Sequence, residues 1–454
     1  MHFVGISGIG MSALARILLQ RGYRVSGSSD RATKLTERLA AEGAVVTIGH
    51  DAANLANAGT VVISSAIARD NPELLAARER GLDVVHRGAL LAHLMQGRRG
   101  IAIAGTHGKT TVTAMTGCVL EAGALDPTVI VGGERIDSNS NARDGSGAWL
   151  VGEADESDLS FLDLRPEIAV VTNIENDHIG SDAELPRLIS AFERFAADVP
   201  PHGLALFGAD EPRAAALAER SREARTRTFG FSEVAMVRAT GASYADFTSR
   251  FTVVQGETAL GEIRLGVPGR INVFNALAAV AIALEVGVPF VTIAAGLHAF
   301  RGVRRRFEIL ARSPRMTLVD DYAHHPTAVA ATIAAARANF RGPLIVAFQP
   351  HRYTRTQYLA GDFARALRAA DAVVLTDVYA ASEVPLPGVD ATAIGAPLAA
   401  LGCKVDYVHA IEDLPAYLLA HAPEGALVLT LGAGSITTAA NALARELAAG
   451  QALV

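Results

Sequence analysis

The sequence predicts an α/β protein of three successive domains built on parallel sheets. Short apolar runs alternate with stretches of helical periodicity, and glycine-rich turns stand where such a run meets a helix. Size agrees: 454 residues, 50% of them hydrophobic and 19% charged, suffice for about three separate cores.

The first block, residues 1–97, reads as a strand at 3–6, a helix through Leu14 to Leu19, and strands at 24–26 and 61–64. Such alternation implies right-handed crossovers between parallel strands. The second block, residues 98–306, opens with the apolar run 100–104. Residues 109–122 then place Val112, Met115, Val119 and Leu120 at helical spacing before Gly123. Its end is set by the basic segment 301–306, which reads as a linker. The third block, residues 307–454, has strands near 318–319, 344–346, 373–375 and 427–429.

Composition excludes several classes. A formal charge of −6 leaves no basic footprint for nucleic acid. The longest apolar stretch, 276–295, is broken by Glu285 and Pro289 and reads as a buried helix followed by a second helix, with no membrane insertion. Residues 1–5 run straight into a strand, so no signal peptide is expected. Cys118 and Cys403 are too few for a disulfide framework and suit a reducing cytoplasm.

Three of the 41 Lys plus Arg residues are lysine: Lys34, Lys109 and Lys404. Lys109 lies in Gly105-Thr106-His107-Gly108-Lys109-Thr110-Thr111, between a strand and a helix. A compact ammonium fits among nucleotide phosphates cradled by backbone N–H groups, and the Thr110 hydroxyl is placed for Mg²⁺. Position 103 is Ile where the common P-loop has glycine, so this loop is a shorter variant.

Gly8-Ile9-Gly10-Met11-Ser12-Ala13 follows the first strand, and Asp30 stands twenty residues after Gly10. This fits the dinucleotide fingerprint with Asp30 on a ribose, and an NAD-dependent oxidoreductase is one reading of it. Any nucleoside diphosphate satisfies the same turn. A chain with both turns is expected to bind two different nucleotides.

Further polar clusters follow other strands. Residues 153–158 (Glu-Ala-Asp-Glu-Ser-Asp) and 173–178 (Asn-Ile-Glu-Asn-Asp-His) end two apolar runs, so a parallel sheet would bring them to one edge with the phosphate turn. Glu153 and His178 near Thr110 then form a metal site for Mg²⁺, with Mn²⁺ better suited to the imidazole. In the third block, residues 320–327 and 349–356 also follow strands. Arg352 and Arg355, at i and i+3, would share a helical face and grip a carboxylate or phosphate. Gly432-Ala433-Gly434-Ser435 is a weaker candidate phosphate turn.

Together these segments resemble the Mur ligase family, whose members build the peptide of bacterial peptidoglycan. The resemblance runs through residues 2–12, 105–111, 153–158, 172–178 and 349–356 and covers essentially the whole chain. It implies an N-terminal Rossmann-like domain for a UDP-sugar, a central P-loop ATPase domain and a C-terminal Rossmann-like domain for ATP and an amino acid. The implied reaction is an ATP-dependent amide ligation through an acyl phosphate, with UDP-N-acetylmuramate and L-alanine as substrates and a monomer or homodimer as the acting form.

Residue by residue, the resemblance implies UDP-sugar contacts from Gly8, Ile9, Gly10, Met11, Asp30, Ser64 and His86. ATP falls to residues 105–111 and to Asn272, Asn275, Arg305, Arg306 and Asp321. Tyr322, His324, His351, Arg352 and Arg355 surround the amino acid, and the metal ligands are Thr110, Glu153 and His178. Lys109, Glu153, His178, His324, Arg352 and Arg355 are the implied catalytic set.

Two departures bear on the branch. No lysine is placed to be the carbamoylated one of several relatives, as the alanine-adding branch implies. Ala328 stands where many alanine-adding members have Glu, a feature shared with the recycling branch that attaches a whole tripeptide, but residues 349–356 favour alanine addition.

Overall fold

Apolar runs such as Ile168–Val171 and Leu344–Phe348 are buried along their whole length and become inner strands covered on both faces. The computed structural model describes residues 1–175, 184–221 and 225–451. Among these, the strands form three sheets that follow one another along the chain.

The N-terminal sheet has the spatial order Val45–Ile48, Ser26–Ser29, His2–Val4, Thr60–Ile63, Asp83–His86, all parallel. The order reverses at His2–Val4, and the helix Ile9–Gln20 starts beside its carboxyl end. Such a switch point is where open α/β sheets take ligands. The strand expected at 24–26 begins only at Ser26 and continues through Ser-Gly-Ser-Ser. Local propensity argues against that segment, but it packs beneath Ile6: a Cβ on Gly27 would lie 2.7 Å from both Ile6 and the Phe3 carbonyl.

The central sheet runs Thr258–Leu265, Thr248–Gln255, Val237–Ala245, Arg225–Gly230, Leu204–Gly208, Ile168–Val171, Arg99–Ala104, Trp149–Glu153, Thr128–Arg135, Ser140–Arg143. Its middle is parallel and both flanks end in antiparallel hairpins. The helix expected at 109–122 is Lys109–Ala122, packed against Arg270–Glu285 and Phe290–Ala299. Arg270–Glu285 is apolar almost all round because it is buried almost all round. The expected buried helix and the second helix after it are thus present, the second buried only at Ile293, Gly296 and Leu297, and no described helix is long and apolar enough to cross a membrane.

Residues 301–306 connect the sheets but are not a free linker. Ile136 N donates to the Gly302 carbonyl (3.1 Å), Arg304 N to that of Glu134 (2.8 Å), and the Arg304 guanidinium to Glu308 (2.8 Å). The C-terminal sheet then runs Glu308–Arg312, Met316–Asp321, Ala426–Leu431, Leu344–Phe348, Ala372–Leu375, Lys404–Tyr407. Only Glu308–Arg312 is antiparallel, at the edge.

Candidate active site

The turn between Arg99–Ala104 and Lys109–Ala122 requires its glycines. Gly105 has φ +120°, and a Cβ there would meet Thr172 Oγ1 at 2.1 Å; Gly108 has φ +87°, with Asn275 Oδ1 2.5 Å from such an atom. Neighbouring strand ends hold the turn. Asn173 Oδ1 accepts from His107 N (2.8 Å), while Thr172 Oγ1 (2.7 Å) and Asn173 Nδ2 (3.0 Å) donate to the His107 carbonyl. Contacts within the protein thus fix the backbone of the turn.

Lys109 Nζ donates to the Gly105 carbonyl (2.6 Å) and to Glu156 (2.9 Å). Burial opposes its charge, but Glu156, Glu153 and Asp155 outweigh it and hold its pKa above that of an ordinary lysine. Burial also pushes the Glu156 carboxyl up, against the pull of Lys109. Thr110 Oγ1 donates to Glu153 Oε1 (3.1 Å), and Gly132 N holds Glu153 Oε2 (2.8 Å). A hydroxyl and an oriented carboxylate are hard oxygen donors that suit Mg²⁺. His178 lies outside the described residues.

The connector between the central and C-terminal sheets reaches into the same place. Arg306 Nη2 lies 3.4 Å from Thr110 Oγ1, and Arg305 donates to the Gly432 carbonyl (2.6 Å). Asp321 accepts from Phe307 N and Ala323 N, both at 2.7 Å, yet burial pushes its carboxyl up to about 6. Asn272 and Asn275 sit on one helix beside the phosphate turn. Asn275 Oδ1 is buried without a hydrogen-bond donor among the described residues.

Next to Asp321 the rings of Tyr322, His324, His351 and Tyr379 contact one another in series, at centroid distances of 5.0, 5.4 and 5.7 Å. His324 Nδ1 donates to the Tyr322 carbonyl (2.9 Å), which leaves Nε2 as the proton-accepting nitrogen of the neutral ring. Arg355 is buried with Nη1 3.3 Å from His351 Nδ1. The expectation that Arg352 shares a helical face with Arg355 is corrected. Arg352 has φ +70°, is exposed, and precedes the helix Tyr353–Tyr358, whose first turn Glu383 caps through Thr354 N (3.0 Å). The turn 432–435 is also not an open cradle: a Cβ on Gly434 would lie 2.5 Å from Gln349 Oε1, which already accepts from Ile436 N (3.0 Å).

In the N-terminal domain Ile9 and Gly10 line a cavity that Lys109, Glu153 and Asp321 also line, whereas Gly8, Met11, Asp30, Ser64 and His86 do not. The Met11 side chain is buried in the core. Asp30 is exposed, with a carboxylate oxygen 3.0 Å from His50 Nε2. His86 caps the helix Arg87–Met95 through Gly88 N (3.2 Å) and lies 3.5 Å from Asp158.

Sequence reasoning missed Arg87 and Glu156. Arg87 donates to Asp155 (2.6 Å) and Asp158 (3.2 Å), tying the N-terminal domain to the acidic segment 153–158. Its only signal was a cation directly after a strand end. Glu156 was legible as part of a motif, but its pairing with Lys109 was not.

All three domains enclose one cavity of about 1250 Å³, lined by Gly10, Lys109, Glu153, Arg306, Asp321 and His324 among others. It is large enough for two nucleotide-sized ligands together. Its chemistry is that of an enzyme handling phosphates between a basic turn and a metal-ready acid.

The comparisons agree with that class. Family models match three successive stretches: "Mur ligase family, catalytic domain" over residues 1–99, "Mur ligase middle domain" over 103–283, and "Mur ligase, glutamate ligase domain" over 305–434. The chain belongs to the Mur ligase family. It is 45% identical to a UDP-N-acetylmuramate--L-alanine ligase of Geotalea uraniireducens, over 98% of this chain and 97% of that one. A protein of the same name from Acidithiobacillus ferrooxidans is 48% identical, over 97% and 96%. Among solved structures, a UDP-N-acetylmuramate-alanine ligase from Thermotoga maritima superposes with a TM-score of 0.86 at 31% identity, covering 99% of both chains. A murein peptide ligase from Psychrobacter arcticus shares the fold, with a TM-score of 0.73 at 23% identity over 98% of both chains.

Proposed function

We propose that this chain is an ATP-dependent ligase joining the carboxylate of UDP-N-acetylmuramate to the amine of L-alanine, in peptidoglycan precursor synthesis. Its relatives support that reading over the recycling ligase, and its three-domain fold supports it over the oxidoreductase. The observation that carries the site assignment is the opening of the Lys109–Glu153 cluster, the Gly10 turn and the Tyr322–His324 rings onto one cavity. The functional division is 1–97 for the UDP-sugar, 98–306 for the phosphates and 307–454 for the amino acid, a partition that the three sheets support.

In this reading the sugar carboxylate attacks the γ-phosphate, forming an acyl phosphate and ADP. The alanine amine then attacks the acyl carbon, and inorganic phosphate leaves as the amide forms. Two anions must first approach each other. Lys109 and Arg306 screen that repulsion, and the backbone N–H groups of the turn bind the phosphate oxygens. Thr110 and Glu153, with His178, would hold Mg²⁺, which when bound neutralises charge on the transferring phosphoryl group.

Asp321 binds the ATP ribose, and Asn272 and Asn275 lie on the adenine side, where the orphaned Asn275 Oδ1 can accept a donor. His324 Nε2 takes a proton from the attacking amine, and the His351–Arg355 pair faces the alanine carboxylate. Arg352 approaches from the exposed side of the helix start. The UDP moiety lies along the turn 8–11 towards Asp30, Ser64 and His86. We place the reaction in the cytoplasm, where its substrates are and where Cys118 and Cys403 stay unpaired.

Phosphate release should require ATP, UDP-N-acetylmuramate and L-alanine together. Release with a murein tripeptide but not alanine would move the chain to the recycling branch. Tight NADH binding indifferent to the UDP-sugar would favour the oxidoreductase.

A further inference from the structure

Three side chains in the cavity wall have no part in the reaction just described as a group: the imidazoles of His107 and His325 and the carboxylate of Glu175. They come from the phosphate turn, from the segment after Ile168–Val171, and from the residue capping the helix Pro326–Asn339. His107 Nε2 is 3.3 Å and His325 Nδ1 3.8 Å from the same Glu175 oxygen, and one ligand atom from each residue lies within 4.8 Å of the others. A tetrahedral ion with bonds of about 2.0–2.2 Å spaces its ligands about 3.3–3.6 Å apart. Of the three edges the protein ligands span, one is already in place, the second needs a shift of a few tenths of an ångström, and the third, between the two imidazoles, lies within 4.8 Å and must close by up to about an ångström.

The backbones behind these groups are held. Glu175 N donates to Thr106 Oγ1 (2.8 Å), His107 N to Asn173 (2.8 Å), and Val329 N to the His325 carbonyl (2.9 Å). Thr327 Oγ1 donates to the same Glu175 oxygen (2.8 Å), the kind of outer contact that orients a ligating carboxylate. Donor chemistry selects the ion. Two imidazoles and one carboxylate suit Zn²⁺ or Co²⁺ and not Mg²⁺, and three protein ligands leave a fourth position towards the cavity.

We infer that His107, Glu175 and His325 form a transition-metal site, separate from the Thr110–Glu153 pair, that fastens the C-terminal domain to the phosphate turn. Two ligands belong to the central domain and one to the C-terminal domain, so a bound ion opposes their separation. Because the cavity is walled by both domains, the ion slows the exchange of nucleotides through it. Zinc therefore acts as an inhibitor that excess Mg²⁺ does not displace. The inhibition rests on the ligase reading, and the metal site does not.

The test begins with Co²⁺ added to the metal-stripped full-length chain in saturating Mg²⁺. One equivalent should bind with a visible d–d absorption band and be displaced by one equivalent of Zn²⁺. Glu175→Gln and His325→Ala should each weaken Co²⁺ binding by at least about tenfold, with far-ultraviolet circular dichroism unchanged. Glu153→Gln should keep the band. Co²⁺ binding that is unmoved by Glu175→Gln, the variant least able to disturb packing, or a band lost in Glu153→Gln, overturns the proposal. In phosphate-release assays Zn²⁺ should slow the wild type in excess Mg²⁺, and by a smaller factor in His325→Ala. An equal factor in both rejects the clamp. Absence of turnover without any metal added but Mg²⁺ would count against the ligase reading and leave the Co²⁺ result standing.

Discussion

Glu73 in the N-terminal domain and Glu156 in the central domain are both buried carboxylates, and their surroundings drive them in opposite directions. Glu73 accepts from Ser28 (2.6 Å), His50 (2.7 Å) and Asn54 (2.7 Å), with His2 at 3.3 Å. Burial opposes its ionisation, but these donors prevail and hold the carboxyl at about 2. Glu156 relies on the ammonium of Lys109, and there burial prevails. A fully satisfied acid stiffens one domain; an acid held by a single cation keeps that cation placed to be taken by a phosphate.

Removing the partner should have the largest effect. Lys109→Ala is expected to lower phosphate release by about 10³-fold or more, with UDP-N-acetylmuramate binding by calorimetry nearly unchanged. Surviving turnover would place the ATP site elsewhere and dissolve the contrast.

Glu73→Gln should instead cost roughly 3 kcal/mol in urea unfolding while the folded fraction keeps its turnover. The sign of its pH dependence follows from a folded pKa below the free value. The stabilisation is present above about 4.5 and is lost as pH falls towards about 2. Melting temperatures across that window should fall more steeply for the wild type than for Glu73→Gln.

Asp321 gives the opposite slope. Its folded pKa is raised from 3.8 to about 6, so its contribution to stability is present below about 3.8 and lost as pH rises through about 6. In its proposed role at the ATP ribose it acts as the carboxylate, so ATP affinity should fall about tenfold from pH 7 to pH 5. An Asp321→Asn protein whose ATP affinity retained that fall would assign it to another group.

The smallest change belongs to Glu156→Gln. Lys109 loses the carboxylate that competes with phosphate, so a non-hydrolysable ATP analogue should bind about three- to tenfold tighter; because burial already opposes the Glu156 charge, neutralising it should cost less stability than Glu73→Gln. A loss of stability like that of Glu73→Gln would make the two acids equivalent after all.

Much of this was legible along the chain. The phosphate turn and the helix Lys109–Ala122 stood out because a buried strand, two obligatory glycines and a rare lysine coincide within a dozen residues. The Ser26–Ser29 strand did not, because its signal is the empty space over Gly27 and not its own propensity. The hairpins at the flanks of the central sheet were missed too, since their pairing is decided by an edge already built. Arg352 misled through its spacing to Arg355, because a helix start is set by its cap, here Glu383 from a distant loop.

The amino-acid order by itself determined the three-domain α/β class, the two glycine turns and the residue types that meet phosphate and metal. These depend on local sterics and on the burial of contiguous runs, which a linear pattern records. Tertiary structure alone decided which charges face each other: Lys109 with Glu156, Arg87 with Asp155, Arg306 with Thr110. Coulombic and hydrogen-bond energies depend on distances of a few ångströms between residues tens or hundreds of positions apart. No spacing along the chain sets those distances: folding of the central domain sets the first, and the packing of neighbouring segments against it sets the other two.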